Sequence, residues 1–175
     1  LNEKGTDGLS LRKIAAMCDV SHTAPYKHFK DKHDLINEIS NYVISEFDNS
    51  IINSLDKSLN PKDLMIEIGK SYIKFMVENS NYLKFLMFND SLFSAKMVDG
   101  DILNSNSKSF NIFKDNAIKM FECYGIEKEE YTLNIITMWS VVQGVSVLVA
   151  NKNIVLDCDY DILLDNILRN KLKLH

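Results

Sequence analysis

The sequence predicts an all-α protein, with a helix-turn-helix at its N-terminus and a larger helical bundle behind it. Apolar residues recur at helical spacing through almost the whole chain. No alternating β-branched run bounded by tight glycine turns interrupts them. Between Ser10 and Phe29, one short helical pattern, a three-residue break and a second short pattern follow in succession, the spacing of a helix-turn-helix. At 175 residues with 6 Gly and 2 Pro, the chain suits one domain, or a small domain fused to a larger one, with little material for linkers.

Each element has a local reason. Ser10 is placed to cap a first helix carrying Leu11, Ile14, Ala15 and Cys18 on one face. Cys18-Asp19-Val20 breaks that pattern, and Ser21 caps a second helix running to Phe29. Pro25 tests this second helix. As its fourth residue it forfeits only the bond to the cap carbonyl, and the cap, not itself helical, can move aside from the ring. Val20 and Phe29 are expected in the core, locking the two helices together. Asp31 caps a long third helix, with Asp34 completing a box-like pair. Its apolar face is Leu35, Ile36, Ile39, Tyr42, Val43 and Phe47, and it is expected to run to about residue 58. Asn60-Pro61 then ends one helix and opens the next, with proline where a missing N–H costs nothing. Residues 62–79 and 82–89 read as helical, 94–104 as a polar loop around Gly100, and 106–124, 127–150 and 159–173 as further helices.

Charge is unevenly spread. The formal total of -4 would argue against a nucleic-acid partner, yet residues 1–33 hold six Lys/Arg against four acids and three of the four His. Residues 34–175 hold fourteen Lys/Arg against twenty acids, so a +2 end precedes a -6 body. Cys18, Cys123 and Cys158 show no CxxC or Cys/His spacing, which leaves neither a disulfide framework nor a zinc site. Buried thiols in a reducing cytoplasm are expected, with no metal and no cofactor. Tyr131–Ala150 is uncharged and long enough to span a bilayer. It carries Thr132, Asn134, Thr137, Ser140, Gln143 and Ser146, so a helix buried between other helices is expected rather than a membrane span.

If the second helix enters a DNA major groove, its first residues meet base edges. His22 and Thr23 lead, Ala24 admits a thymine methyl, and Lys27 and His28 reach edges or phosphates. Tyr26 can donate its hydroxyl to a phosphate, and Lys32 opens the next helix, where free N–H groups favour an anion. Arg12 leads the supporting helix, while Ser10 and Ser21, at the two helix starts, complete the candidate DNA-binding set. On spacing alone, a solvated polar face on a structural helical hairpin explains the pattern equally well.

The stretch "GTDGLSLRKIAAMCDVSHTAPYKHFKDKHDLI" resembles the DNA-binding domain of TetR-family (tetracycline-repressor-type) transcriptional regulators. Leu11, Arg12, Ile14, Ala15, Val20, Ser21, Tyr26, His28, Phe29 and Lys32 stand at matching positions. Asp19 departs from the family's turn glycine, but aspartate adopts the left-handed conformation at modest cost. The family has a full helix before Gly5, of which only "LNEK" is present, so further chain is expected upstream. The body resembles a subgroup with a Trp-x-x-x-His-Gly motif. In "WSVVQG", Trp139 and Gly144 match and Gln143 replaces the histidine, keeping a hydrogen bond available. Gly144 is expected to let a neighbouring helix approach closely.

The resemblance implies a DNA-binding head over 1–48 and a ligand-binding, dimerising body over 49–175, joined as a homodimer through the last two helices. It implies a repressor of a palindromic operator whose DNA affinity a small-molecule effector alters. Tyr72, Phe75, Met76, Tyr82, Phe85, Met87, Phe88 and Phe93 cluster in sequence as candidate pocket residues, joined by Phe113, Trp139 and Gln143. Such a stripe also reads as plain core. Ile162, Leu163, Ile167, Leu168 and Leu172 give the last helix an apolar face for pairing. Two other classes fit parts of the sequence. One is a helical small-molecule binding protein without DNA-binding activity. The other is an enzyme, for which Glu78, Asp90 and His33 offer acids and bases but no nucleophile, metal or phosphate-loop constellation.

Overall fold

The computed structural model describes residues 10–88, 95–103, 107–155 and 160–171. The architecture is all-α apart from one small hairpin. Its elements are α1 (Leu11–Met17), a 3₁₀ turn (Ala24–Lys27), α2 (Lys32–Asn53), α3 (Pro61–Glu78), α4 (Ser80–Phe88), β1 (Lys96–Val98), β2 (Asp101–Leu103), α5 (Lys108–Tyr124), α6 (Tyr131–Ala150) and α7 (Tyr160–Lys171).

The helix starts follow their caps. Ser10 Oγ accepts from the Lys13 amide at 3.2 Å, Asp31 Oδ1 from Asp34 at 2.9 Å, and Asn60 Oδ1 from Asp63 at 3.0 Å. Asp34 returns a bond, but to the Lys30 amide rather than to the cap itself. α2 stops at Asn53, short of the expected end near 58. The chain turns there because Asp56 Oδ1 accepts from both the amide and the hydroxyl of Ser58, an aspartate turn that competes with helix.

α3 is the centre of the body, packing on α2, α4, α5, α6 and α7. Its buried residues, among them Met65, Ile66, Ile68, Gly69, Tyr72, Ile73 and Met76, cover about half of the helix's circumference, a broad band as expected for a helix packed by several neighbours. Gly69 is where α7 comes closest: a Cβ there would stand 2.9 Å from Leu168 Cδ1 and 3.5 Å from Val142 Cγ1. Gly144, expected to play that part, has nothing within 4 Å of its missing Cβ. The expectation for α6 also needs correction. Only Ile135, Met138, Val142 and Ser146 are buried, one stripe at helical spacing, while Leu133 on the opposite side is 66% exposed. α6 is covered on one face, because α3 and α5 reach it from one side only.

Residues 96–103, expected as loop, form an antiparallel hairpin with Met97 opposite Ile102. Its two turn residues, Asp99 (φ 51°) and Gly100 (φ 80°), supply the positive φ values that a tight two-residue hairpin requires. Ile102 is buried, and Lys114 Nζ clips the hairpin to α5 through Asp101 Oδ2 (2.6 Å) and the Ile102 carbonyl (3.0 Å). Cys18 and Cys123, expected to be buried, are exposed: Cys18 closes α1 on the Leu11–Ala15 face but borders the open cavity beside the turn, and Cys123 stands off the stripe that α5 turns inward. Cys158, Asp90, Phe93 and Leu172 lie outside the described residues.

An ion-pair network holds α7 to α3. Arg169 bonds Asp63 (2.5 Å) and Asp165 (3.0 Å), and Lys70 reaches Asp165 at 3.0 Å. Arg169 first, then Lys70, holds the Asp165 carboxyl down to about 2. A depressed carboxylate stabilises the fold above its unfolded pKa near ~4 and loses that contribution as pH falls through the folded value. Between about pH 4 and about pH 2, acid unfolding should therefore be shallower in Asp165→Asn than in the wild type. At Gly69, substitution by valine should lower stability by ~1–3 kcal/mol through overpacking against Leu168, read from denaturant midpoints. An unchanged midpoint would mean that Leu168 has room to rotate.

Candidate nucleic-acid interface and ligand cavity

The head begins with α1, whose end is closed by backbone geometry. Asp19 is left-handed (φ 53°), as expected of the residue in the glycine place. The Val20 amide donates to the Ala15 carbonyl at 3.0 Å and the Asp19 amide to Ala16 at 3.4 Å, the paired bonds that finish a helix at a left-handed residue. That reversal throws the next segment across α1.

The second helix differs from expectation. It is a 3₁₀ turn over Ala24–Lys27 with Thr23 at the cap position, not a Ser21-capped helix to Phe29. Pro25 is the reason. It has no N–H for a helical bond back to Ser21, and the Ser21 carbonyl instead takes the Ala24 amide at 2.9 Å. Ser21 Oγ then faces Thr23 Oγ1 at 3.2 Å. Only at its end does the turn return to α spacing, with the Phe29 amide donating to Pro25 at 2.9 Å.

This turn buries Pro25 and shows nearly everything else. Ser21, His22, Thr23, Tyr26, Lys27 and His28 are exposed, as are Ser10 and Arg12; Ala24 and Lys32 are half-buried. Arg12, Lys13, Lys27, Lys30 and Lys32 take part in no ion pair among the described residues. Five cations without carboxylate partners on one small unit make a surface suited to polyanion phosphates. Val20, expected in the core, is 46% exposed. With Leu11, Ala15, Pro25, Phe29 and Leu35 it borders an open cavity of about 230 Å³, because side chains as small as Ala15 and Ala24 cannot fill the space between α1 and the turn.

The body holds a second cavity, of about 80 Å³. Phe47 and Ile51 of α2, Met65 and Tyr72 of α3, Phe110 and Phe113 of α5, and Met138 and Trp139 of α6 line it. Aromatic edges set its shape: Phe47 meets Tyr72 at 5.2 Å and 89°, and Phe110 meets Trp139 at 5.3 Å and 64°. The Tyr72 hydroxyl donates to Gln143 Oε1 and receives a bond from the Trp139 side chain. Burial pushes the Tyr72 hydroxyl well above its ordinary range, so it stays a neutral donor. At the start of α5, Ser107 and Ser109 also face the cavity, with their hydroxyls 2.8 Å apart. Behind them the buried Asp48 of α2 accepts from the amides of Ser109 (2.9 Å) and Lys108 (3.3 Å).

Of the candidate pocket residues, Tyr72, Phe113 and Trp139 line this cavity, and Gln143 stands one hydrogen bond behind it. Phe75, Met76 and Phe85 are buried in the core away from the lining. Tyr82 packs on Phe75 and Tyr42, Met87 is exposed, and the Phe88 side chain lies outside the described residues. Glu78 faces Lys74 at 4.0 Å on the surface, and His33 is exposed. Sequence reasoning missed Phe47, Ile51, Lys62, Ser107, Ser109 and Phe110, whose common site forms only when α2, α3 and α5 pack together.

A search of curated proteins finds no match to the chain. Residues 1–39 match the family model described as bacterial regulatory proteins, tetR family. That segment contains α1, the turn and the opening of α2, and its match supports a DNA-binding transcriptional regulator of the TetR type.

Proposed function

We propose that the protein is a ligand-responsive transcriptional repressor that binds a palindromic operator as a homodimer in the cytoplasm. The observation that carries this is the reach of α2. Its first turn holds Lys32 beside the exposed turn, and its far end puts Phe47 and Ile51 into the cavity wall and Asp48 under α5. A molecule that displaces Phe47 or Ile51 acts directly on the helix that carries the head. The functional division is a head over 1–48 and a sensing body over 49–175, with α2 common to both.

Pairing is assigned to α6 and α7. Leu133 and Leu148 on α6 and Ile162 on α7 (61% exposed) leave apolar side chains in water, and a second copy would cover them in a four-helix interface. The segment Lys128–Ala150 is long and apolar enough to cross a bilayer by length and composition, and a subunit interface accounts for the same apolar surface. Dimer symmetry would then set two turns about ~34 Å apart, one DNA turn, or a multiple of it. His22, Thr23, Ala24, Lys27 and His28 would read base edges, while Ser10, Arg12, Ser21, Tyr26 and Lys32 would hold phosphates. In the Trp-x-x-x-His-Gly subgroup that the body resembles, Gln143 takes the histidine's place and keeps a hydrogen bond to Tyr72 without a titrating ring.

The test is fluorescence anisotropy of the full chain on palindromes from its own upstream DNA. Binding should weaken steeply as salt rises, and Tyr26→Phe and Lys32→Ala should each cost ~1 kcal/mol, roughly fivefold in affinity, with the Lys32 variant reducing the salt slope by about one phosphate contact. Unchanged affinity in both variants would refute the assigned contacts. No DNA binding at any salt, with ligand uptake intact, would instead favour a helical small-molecule binding protein without DNA-binding activity.

A further inference from the structure

We infer that the body cavity takes a slender monocarboxylate, an alkyl or single-ring acid whose carboxylate pairs with Lys62 and whose apolar body lies between Phe47, Phe110 and Met138. This rests on the small-molecule sensing proposed above and adds the chemical class of the effector.

The charge inventory decides the sign. Lys62 is the one Lys, Arg, His, Asp or Glu among the residues lining the cavity. It makes no ion pair among the described residues, whereas Lys70, Lys114 and Arg169 all do. The other polar groups of the inner wall are already engaged: Ser107 with Ser109, and Tyr72 with Gln143 and Trp139. An incoming polar group therefore finds its partner at Lys62, which is half-buried; the exposed Tyr124 lines the same cavity.

A cation finds no counter-charge. Asp48 is the only charged residue buried among the described residues, and both of its oxygens are engaged by the amides that open α5. Burying an ammonium group against an apolar wall without a carboxylate is strongly unfavourable. Size sets the second limit. At about 80 Å³ the cavity is smaller than the ~150 Å³ that houses benzene in an engineered protein interior, so a ligand enters only as lining side chains move. Met65, Met120 and Met138, unbranched and with several rotatable bonds, can yield to a narrow chain more easily than to a broad ring system.

Isothermal titration of the full chain with octanoate, 1-octanol and octylammonium, each below self-association, tests the assignment. Octanoate should bind about tenfold more tightly than octanol, with octylammonium weakest. Lys62→Met should erase the preference for acid over alcohol while leaving octanol affinity within about twofold. Octylammonium or octanol binding as tightly as octanoate, or an acid preference that survives Lys62→Met, would overturn the charge assignment and leave sensing intact. Failure of all three to bind would overturn the inferred ligand class, while the proposed sensing is tested separately by the effect of other small molecules on DNA affinity.

Discussion

Asp48 is a carboxylate left 6% exposed inside the body, where it accepts hydrogen bonds from the amides of Lys108 and Ser109. Those amides are among the unpaired donors that every helix start presents, so one contact meets two needs: α5 gains a second cap beside Ser107, and the buried charge gains its hydrogen bonds. Breaking such a contact leaves an uncompensated buried group, which makes the junction between α2 and α5 hard to part. The cavity lies against that junction, with Phe47 and Ile51 on one side and Ser109 and Phe110 on the other. What happens in the cavity is therefore applied to α2 near a fixed point, while the head lies at the far end of the same helix.

The head shows how little structure presents an exposed polar surface. A seven-residue helix, a left-handed aspartate and a four-residue turn place six exposed polar or charged side chains within eight positions. Proline makes that turn tight and stiff, limiting what its ordering costs on contact. The acidic body contributes the opposite sign, so electrostatic attraction to a polyanion is confined to one end of the molecule.

Features with local causes were legible in the sequence. Ser10, Asp31 and Asn60 cap their helices because a cap depends on the residue and its next three neighbours. Asp19 turns the chain in place of glycine for the same local reason. The hairpin is not legible although Asp99-Gly100 is a strong turn signal, because strands of three residues show no readable alternation. Pro25 is tolerable at the fourth position of an α-helix, yet the backbone around it forms 3₁₀ bonds. The cavity was only partly legible. Tyr72, Phe113 and Trp139 come from three helices, and nothing along the chain shows that Phe47 will join them while the neighbouring candidates Phe75 and Met76 turn into the core. Gly69 and Gly144 are alike in sequence, and only packing separates the one against Leu168 from the one facing open space.

The central claim is geometric: two copies must present their turns at a spacing that DNA can accept. Spin labels on Met17→Cys, exposed at the end of α1 and outside the assigned DNA contacts, with the native cysteines replaced by serine, would measure that spacing by pulsed dipolar spectroscopy. The account predicts an interspin distance near ~34 Å or a multiple of it, narrowing when a palindromic duplex is added. Absence of any dipolar coupling at concentrations where DNA is bound, or a distance that brings the two turns into contact, would contradict it.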